Sequence, residues 1–175
     1  MSYSCLPNLN VIIAGHNRQV LRKKEDEDNE KPVCNCRGGQ DTCPIGGKCL
    51  RSDIIYEAKV HSNNSTVKYI GQASTTFKER FRNHMLSFNN MRYQTNTTLS
   101  KHIWDLKTSG IHYEVNWEQI GQAPSYNPST KSCKLCLLEK ITILRSSDDK
   151  NCLNKRGELM SKCRHRAKFL LTGVT

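Results

Sequence analysis

Two alternating runs joined by a polar turn constrain this chain more than any other feature. Ile54-Ile55-Tyr56-Glu57-Ala58-Lys59-Val60 repeats with the period of a strand, placing Ile54, Tyr56, Ala58 and Val60 on one face. His61 to Thr66 is polar, and Val67-Lys68-Tyr69-Ile70-Gly71 then alternates again. The pair predicts a β-hairpin with Tyr56 and Tyr69 side by side across it, their hydroxyls on one face. Ser74-Thr75-Thr76 supplies N-cap residues for a helix to about Phe88, with Phe77, Phe81 and Met85 on its apolar stripe. A second helix is predicted over Leu99–Lys107, capped by Thr97 or Thr98 and closed by Gly110. Tyr113, Val115 and Trp117 mark a third strand, Ala123 to Thr130 a loop, and Cys133 to about Arg145 a further helix. An extended piece at Cys152 to Asn154 follows, then a basic helix. The order β-β-α-α-β-α over residues 53–155 predicts a small α/β sandwich.

The front of the chain is of another kind. Residues 1–31 read as an amphipathic helix followed by a charged linker, and residues 156–175 as a basic C-terminal helix. Residues 32–52 hold Cys34, Cys36, Cys43 and Cys49 among glycines, with too few large apolar side chains to build a core. Such a segment needs a staple. No apolar stretch is long enough to span a bilayer and the N-terminus lacks a signal peptide pattern, so no membrane partner is expected and the thiols are read as reduced. Metal then becomes the staple of choice. A net charge of +11 points to a polyanionic partner.

Several residues have the chemistry of phosphodiester hydrolysis, which requires an activated water and neutralisation of the developing charge. Tyr56 is assigned as general base, which demands either a lowered phenol pKa or a proton relay. Tyr69 would position water or phosphate. Arg80 and His84 stand four residues apart on one helix face. Arg80 offers a fork for phosphate oxygens, and His84 a phosphate contact or a proton relay. Glu139 sits among Leu135, Cys136, Thr142 and Ile143, where an unpaired carboxylate is costly to bury. Holding Mg²⁺ (or Mn²⁺) would resolve that cost and supply a Lewis acid.

Ile55-Tyr56, Tyr69-Ile70-Gly71, Arg80, His84 and Glu139, in this order and on these elements, resemble the GIY-YIG endonucleases. The opening glycine of the first motif is replaced by Ile54, while its tyrosine is kept. Tyr3-Ser4-Cys5, Cys34-Asn35-Cys36-Arg37, Cys43-Pro44 through Cys49-Leu50, Leu99 to Trp104, Cys133 through Lys140 and Leu153-Asn154-Lys155-Arg156 extend the likeness to the endonuclease domain of Penelope-like retroelements. The resemblance implies a three-stranded antiparallel sheet flanked by helices and a zinc-binding Cys-rich segment in front. It also implies a metal-dependent nuclease that nicks target DNA for insertion, alongside or fused to a reverse transcriptase, in the nucleus. Asn154 matches an accessory active-site asparagine. Lys101, His102, Lys155 and Arg156 are taken as DNA-facing.

For the structural zinc, Cys133-x2-Cys136 has the most familiar spacing, and one site would pair Cys43 and Cys49 with Cys133 and Cys136. A second would draw on Cys34, Cys36, Cys163 and His165. The Penelope-type finger of two cysteines and two histidines would instead recruit His84 or His102. Two other functions compete: a catalytically decayed, zinc-stabilised nucleic-acid-binding module, and an interaction module of ubiquitin-ligase type. The second lacks regular ligand pairs and leaves the tyrosine hairpin without a purpose.

Overall fold

The computed structural model describes residues 33–39, 41–63, 65–129, 132–146 and 149–154. The expected helices of 1–31 and 156–175, with Lys155, Arg156, Cys163 and His165, lie outside them.

The hairpin forms as the alternation requires, but its strands run further than the apolar residues do. β1 (Ile54–Ser62) pairs antiparallel with β2 (Ser65–Ala73). Polar cross-strand pairs carry the ladder to its tip: His61 Nδ1 lies 3.0 Å from Thr66 Oγ1, and Ser62 Oγ 2.9 Å from Ser65 Oγ. β3 (Tyr113–Gln122) adds to the other side of β1, giving the antiparallel order β2-β1-β3.

The register decides what faces what. Tyr56 pairs with Gly71 and Ala58 with Tyr69, so the two tyrosines share a face but stand diagonally rather than directly opposite. The register gives Gly71 its role. A Cβ on Gly71 would lie 2.6 Å from Tyr56 Cζ and 3.1 Å from Tyr69 Cε1, so glycine is what lets the phenol of Tyr56 lie across the neighbouring strand.

Among the described residues, three α-helices cover the sheet. Thr76 caps α1 (Phe77–Asn89) by accepting from Glu79 N, and Thr97 caps α2 (Thr98–Thr108) by accepting from Ser100 N. Both pack on the face that carries Ile54, Tyr56, Ala58, Val60 and Tyr69, burying Phe77, Phe88, Leu99, Ile103 and Leu106. They are joined by a buried 2.7 Å bond between Ser87 Oγ and Ser100 Oγ. The Cys-rich segment joins the same core through Cys43, Ile45 and Cys49.

The loop expected at 123–130 contains a short ribbon. β4 (Tyr126–Asn127) pairs with β5 (Ser132–Cys133), and Leu135 N donates to Pro124 O, which sets the start of α3 (Lys134–Arg145). α3 lies on the opposite sheet face, where Ile55 and Ile70 meet Cys133, Leu135, Cys136 and Ile143. Among the described residues, the sandwich therefore has α1, α2 and the Cys-rich segment on one side of the sheet and α3, with Cys133 and Cys136, on the other.

Candidate active site and metal centre

At the centre of the first face a buried phenol links two helix side chains. Tyr56, with no exposed surface, accepts a 3.0 Å bond from Arg80 Nε and lies 2.8 Å from His84 Nε2. Arg80 also bonds Tyr69. Four residues of helix separate Arg80 from His84, which is what lets both reach one oxygen.

The electrostatics fix the direction of this chain. Burial, with the nearby Arg80 charge, lowers the His84 pKa to about 3. The imidazole is therefore neutral around pH 7 and accepts at Nε2, while the phenol donates. Burial also raises the Tyr56 pKa, against the opposing pull of Arg80 and with a contribution from the Glu139 charge. Of the two routes open to Tyr56 as a base, the lowered pKa is not met. For the relay, His84 Nε2 stands within hydrogen-bond reach of the phenol, but the burial and the Arg80 charge that lower its pKa also disfavour its taking that proton.

A pH prediction follows. An unfolded histidine titrates near 6.5 and the folded one near about 3, so in that window only the unfolded chain takes the proton. Stability is held above the unfolded pKa and lost as pH falls towards the folded one. Between about pH 7 and about pH 5, urea unfolding should show a loss of about 2 kcal/mol attributable to this group. His84→Gln should flatten that part of the profile; an equal loss in the variant would assign it to other groups.

Beside this buried trio a cleft of about 270 Å³ opens, lined by Tyr69, Ile70, Arg80, Asn96, Thr97, Thr98, Glu139, Lys140, Ile143 and Asn154. It lies along β2, where the start of α2 and the middle of α3 approach from opposite faces of the sheet. Four of the six expected catalytic residues, Tyr69, Arg80, Glu139 and Asn154, line it together. Tyr56 and His84 are not among the lining residues and back it through Arg80. Asn154 is held in place by its own amide: Oδ1 accepts from Ile70 N at 2.7 Å and Nδ2 donates to Ile70 O at 2.9 Å.

Lys140 was not foreseen as a lining residue. It is 8 % exposed, yet it reaches the cleft beside Glu139. The signal was present: Lys140 falls four residues after Cys136 and three before Ile143, in the buried stripe of α3, where a cation needs a reason. Lys101 is exposed on α2, whereas His102 is half-buried, with Nε2 enclosed and unbonded. Burial also lowers the His102 pKa, with Asp105 opposing.

The thiols group differently from the expected pairing. Cys34, Cys36, Cys43 and Cys49 bring their sulfurs within 4.8 Å of one another. Cys133 and Cys136 do not join Cys43 and Cys49, because α3 carries them to the other sheet face, into the cluster with Ile55 and Ile70. Cys34 and Cys36 belong to this cluster rather than to a second one, and His84 is engaged with Tyr56. The local chain explains the grouping: Gly46 and Gly47 take φ of 59° and 80°, turning the segment so that Cys49 returns to Cys34 and Cys36.

The cluster fits a tetrahedral thiolate site. Zn–S bonds near 2.3 Å imply sulfurs about 3.8 Å apart. Here Cys49 Sγ lies 3.6 Å from Cys34 Sγ and 3.7 Å from Cys36 Sγ. Backbone N–H groups point at the sulfurs as well: Cys36 N donates to Cys34 Sγ at 3.5 Å, and Ile45, Gly47 and Cys49 donate to Cys43. Against the cost of burial, those donors bring the Cys43 thiol down to about 7. Burial and the neighbouring thiols push Cys49 up to about 12. A bound cation would allow all four to ionise together.

Comparison with family models, with curated proteins and with solved structures finds no match to this chain.

Proposed function

We propose that this chain is a divalent-metal-dependent DNA endonuclease of the GIY-YIG type, similar to the nicking domain of Penelope-like retroelements and stabilised by zinc on Cys34, Cys36, Cys43 and Cys49. The observation that carries the reading is the convergence of Tyr69, Arg80, Glu139 and Asn154 on one cleft, backed by Tyr56 and His84.

Each residue then has a task. Arg80 anchors its Nε on Tyr56 and interacts with Tyr69, leaving further N–H donors for a phosphate oxygen. Tyr69, at the cleft wall, orients water and phosphate. Tyr56 is the candidate base, buried behind the cleft wall with its hydroxyl against His84 Nε2, the acceptor a relay requires, although burial beside Arg80 disfavours a charged imidazole there. Asn154 holds β2 in register beneath the cleft through both its amide groups. Glu139, the single acidic residue of the lining, would hold Mg²⁺ or Mn²⁺, a hard cation that keeps several waters and needs few protein ligands. When bound, that ion supplies Lewis-acid stabilisation of charge on the phosphoryl and leaving oxygens. Lys140 adds a second cation to the same wall.

The basic character of the chain suits DNA, and a nick would leave an end able to prime a reverse transcriptase in the nucleus. Incubation of the purified protein with supercoiled plasmid tests the reading. Mg²⁺-dependent conversion to open circles, blocked by EDTA, is expected. Intact plasmid under a protein that is folded and retained on DNA would instead indicate a binding module.

A further inference from the structure

We infer that the four-cysteine cluster is the clamp on the first turn of α1, so that metal occupancy sets the position of Arg80 and His84. Cys49 and Asn35 act as positioning residues for the site. The consequence for cleavage rests on the nuclease reading; the clamp itself does not.

The first N–H groups of a helix have no partner within it. In α1 two of these are taken by the Cys-rich segment. Lys78 N donates to Cys49 O at 2.7 Å, and Phe77 N donates to Arg51 O at 2.9 Å. A third link ties the same turn to the far side of the cluster: Lys78 Nζ donates to Asn35 Oδ1 at 2.6 Å, and Asn35 stands between Cys34 and Cys36. The backbone N–H of Asn35 also bonds the Cys49 sulfur. Cys43, Ile45 and Cys49 complete the contact by packing into the core that holds Phe77.

The segment making these bonds has little else to shape it. Its described residues contain turns and no strand or helix, and Ile45 is its one fully buried aliphatic side chain. Without a cation, four thiols in mutual contact do not hold a loop closed, so the carbonyls of Cys49 and Arg51 lose their fixed place. Arg80 follows Lys78 by two residues and His84 by six, on the same helix. A shift of the first turn is therefore transmitted to the 3.0 Å bond between Arg80 and Tyr56. α3 packs with Ile55 and Ile70 on the other sheet face and carries Glu139, so it serves as an internal control.

The experiment is amide hydrogen exchange by mass spectrometry on the full chain, zinc-loaded, chelated and reloaded, with zinc content measured on each sample. Chelation should raise exchange in the first turn of α1 by about tenfold or more while leaving α3 within about twofold, and reloading should restore protection. Asn35→Ala should keep its zinc yet raise exchange at the start of α1 several-fold. In nicking assays on chelated protein, kcat should fall with KM little changed. Unaltered α1 protection on chelation would overturn the inference, as would a protein that takes up no zinc. Loss of protection in α1 and α3 together would also overturn it, making the cluster a global staple. If α1 responds but the zinc-loaded protein never nicks DNA, the clamp stands and the nuclease reading falls.

Discussion

Glu139→Ala should abolish Mg²⁺-dependent nicking, by about a thousandfold or more, while the protein still folds and still holds DNA. The magnitude follows from what a Lewis acid contributes: several kcal/mol of charge stabilisation at about 1.4 kcal/mol per decade of rate. Among the residues lining the cleft no second carboxylate can take over the cation. Stability should change little, because Glu139 is only partly buried on α3. Removing the charge also leaves Arg80 and Lys140 in a more positive cleft, so retention on DNA should be equal or tighter. Initial rates across an Mg²⁺ titration, with gel retention on the same samples, provide the check. Nicking within tenfold of the wild type would remove Glu139 from the site.

Tyr56→Phe should lower the nicking rate by about a hundredfold to ten-thousandfold, the usual range for a proton-transfer group. The phenylalanine keeps the aromatic packing against Phe77 and Trp117 but leaves Arg80 Nε and His84 Nε2 without their common partner. Each is buried enough for that loss to matter, so urea unfolding should show about 1–3 kcal/mol of destabilisation. The comparison that decides the assignment is Tyr69→Phe. Tyr69 lines the cleft and Tyr56 does not. If the Tyr69 variant is inactive and the Tyr56 variant is nearly intact, the base is Tyr69 and the buried phenol only braces Arg80.

Much of the architecture was legible because it rests on local patterns. Alternation gave the hairpin, and Thr76 and Thr97 gave the helix starts, since a hydroxyl before an apolar periodic run has one economical use. The residues of the cleft were legible through the resemblance: Tyr69, Arg80, Glu139 and Asn154 are positions matched to the GIY-YIG pattern, and they line one cleft. What the sequence did not disclose depends on which face of the sheet a segment reaches. Cys133-x2-Cys136 has a metal-like spacing, but α3 packs on Ile55 and Ile70 and carries those thiols away from Cys43 and Cys49. The tyrosine pair was expected abreast, whereas the tight turn at Ser62 and Ser65 fixes a register that sets Tyr56 against Gly71. Lys140 escaped notice because a lysine beside a glutamate on a helix usually points to solvent.

Asn154 has a second effect, at the border of the sheet. Lys68 N donates to Asn151 O, Leu153 N donates to Lys68 O, and the Asn154 amide closes on both backbone groups of Ile70. The outer side of β2 is thereby occupied by four residues that are not a strand. A bare strand edge is a template on which another chain can pair. Among the described residues, β3 is left as the open side of the sheet, and along it the exposed Glu114 and Glu118 stand four residues apart. Strand-to-strand association of two copies through β3 would bring these carboxylates together, Glu118 being already engaged by Lys59, so one border of the sheet is covered by chain and the other is guarded by charge.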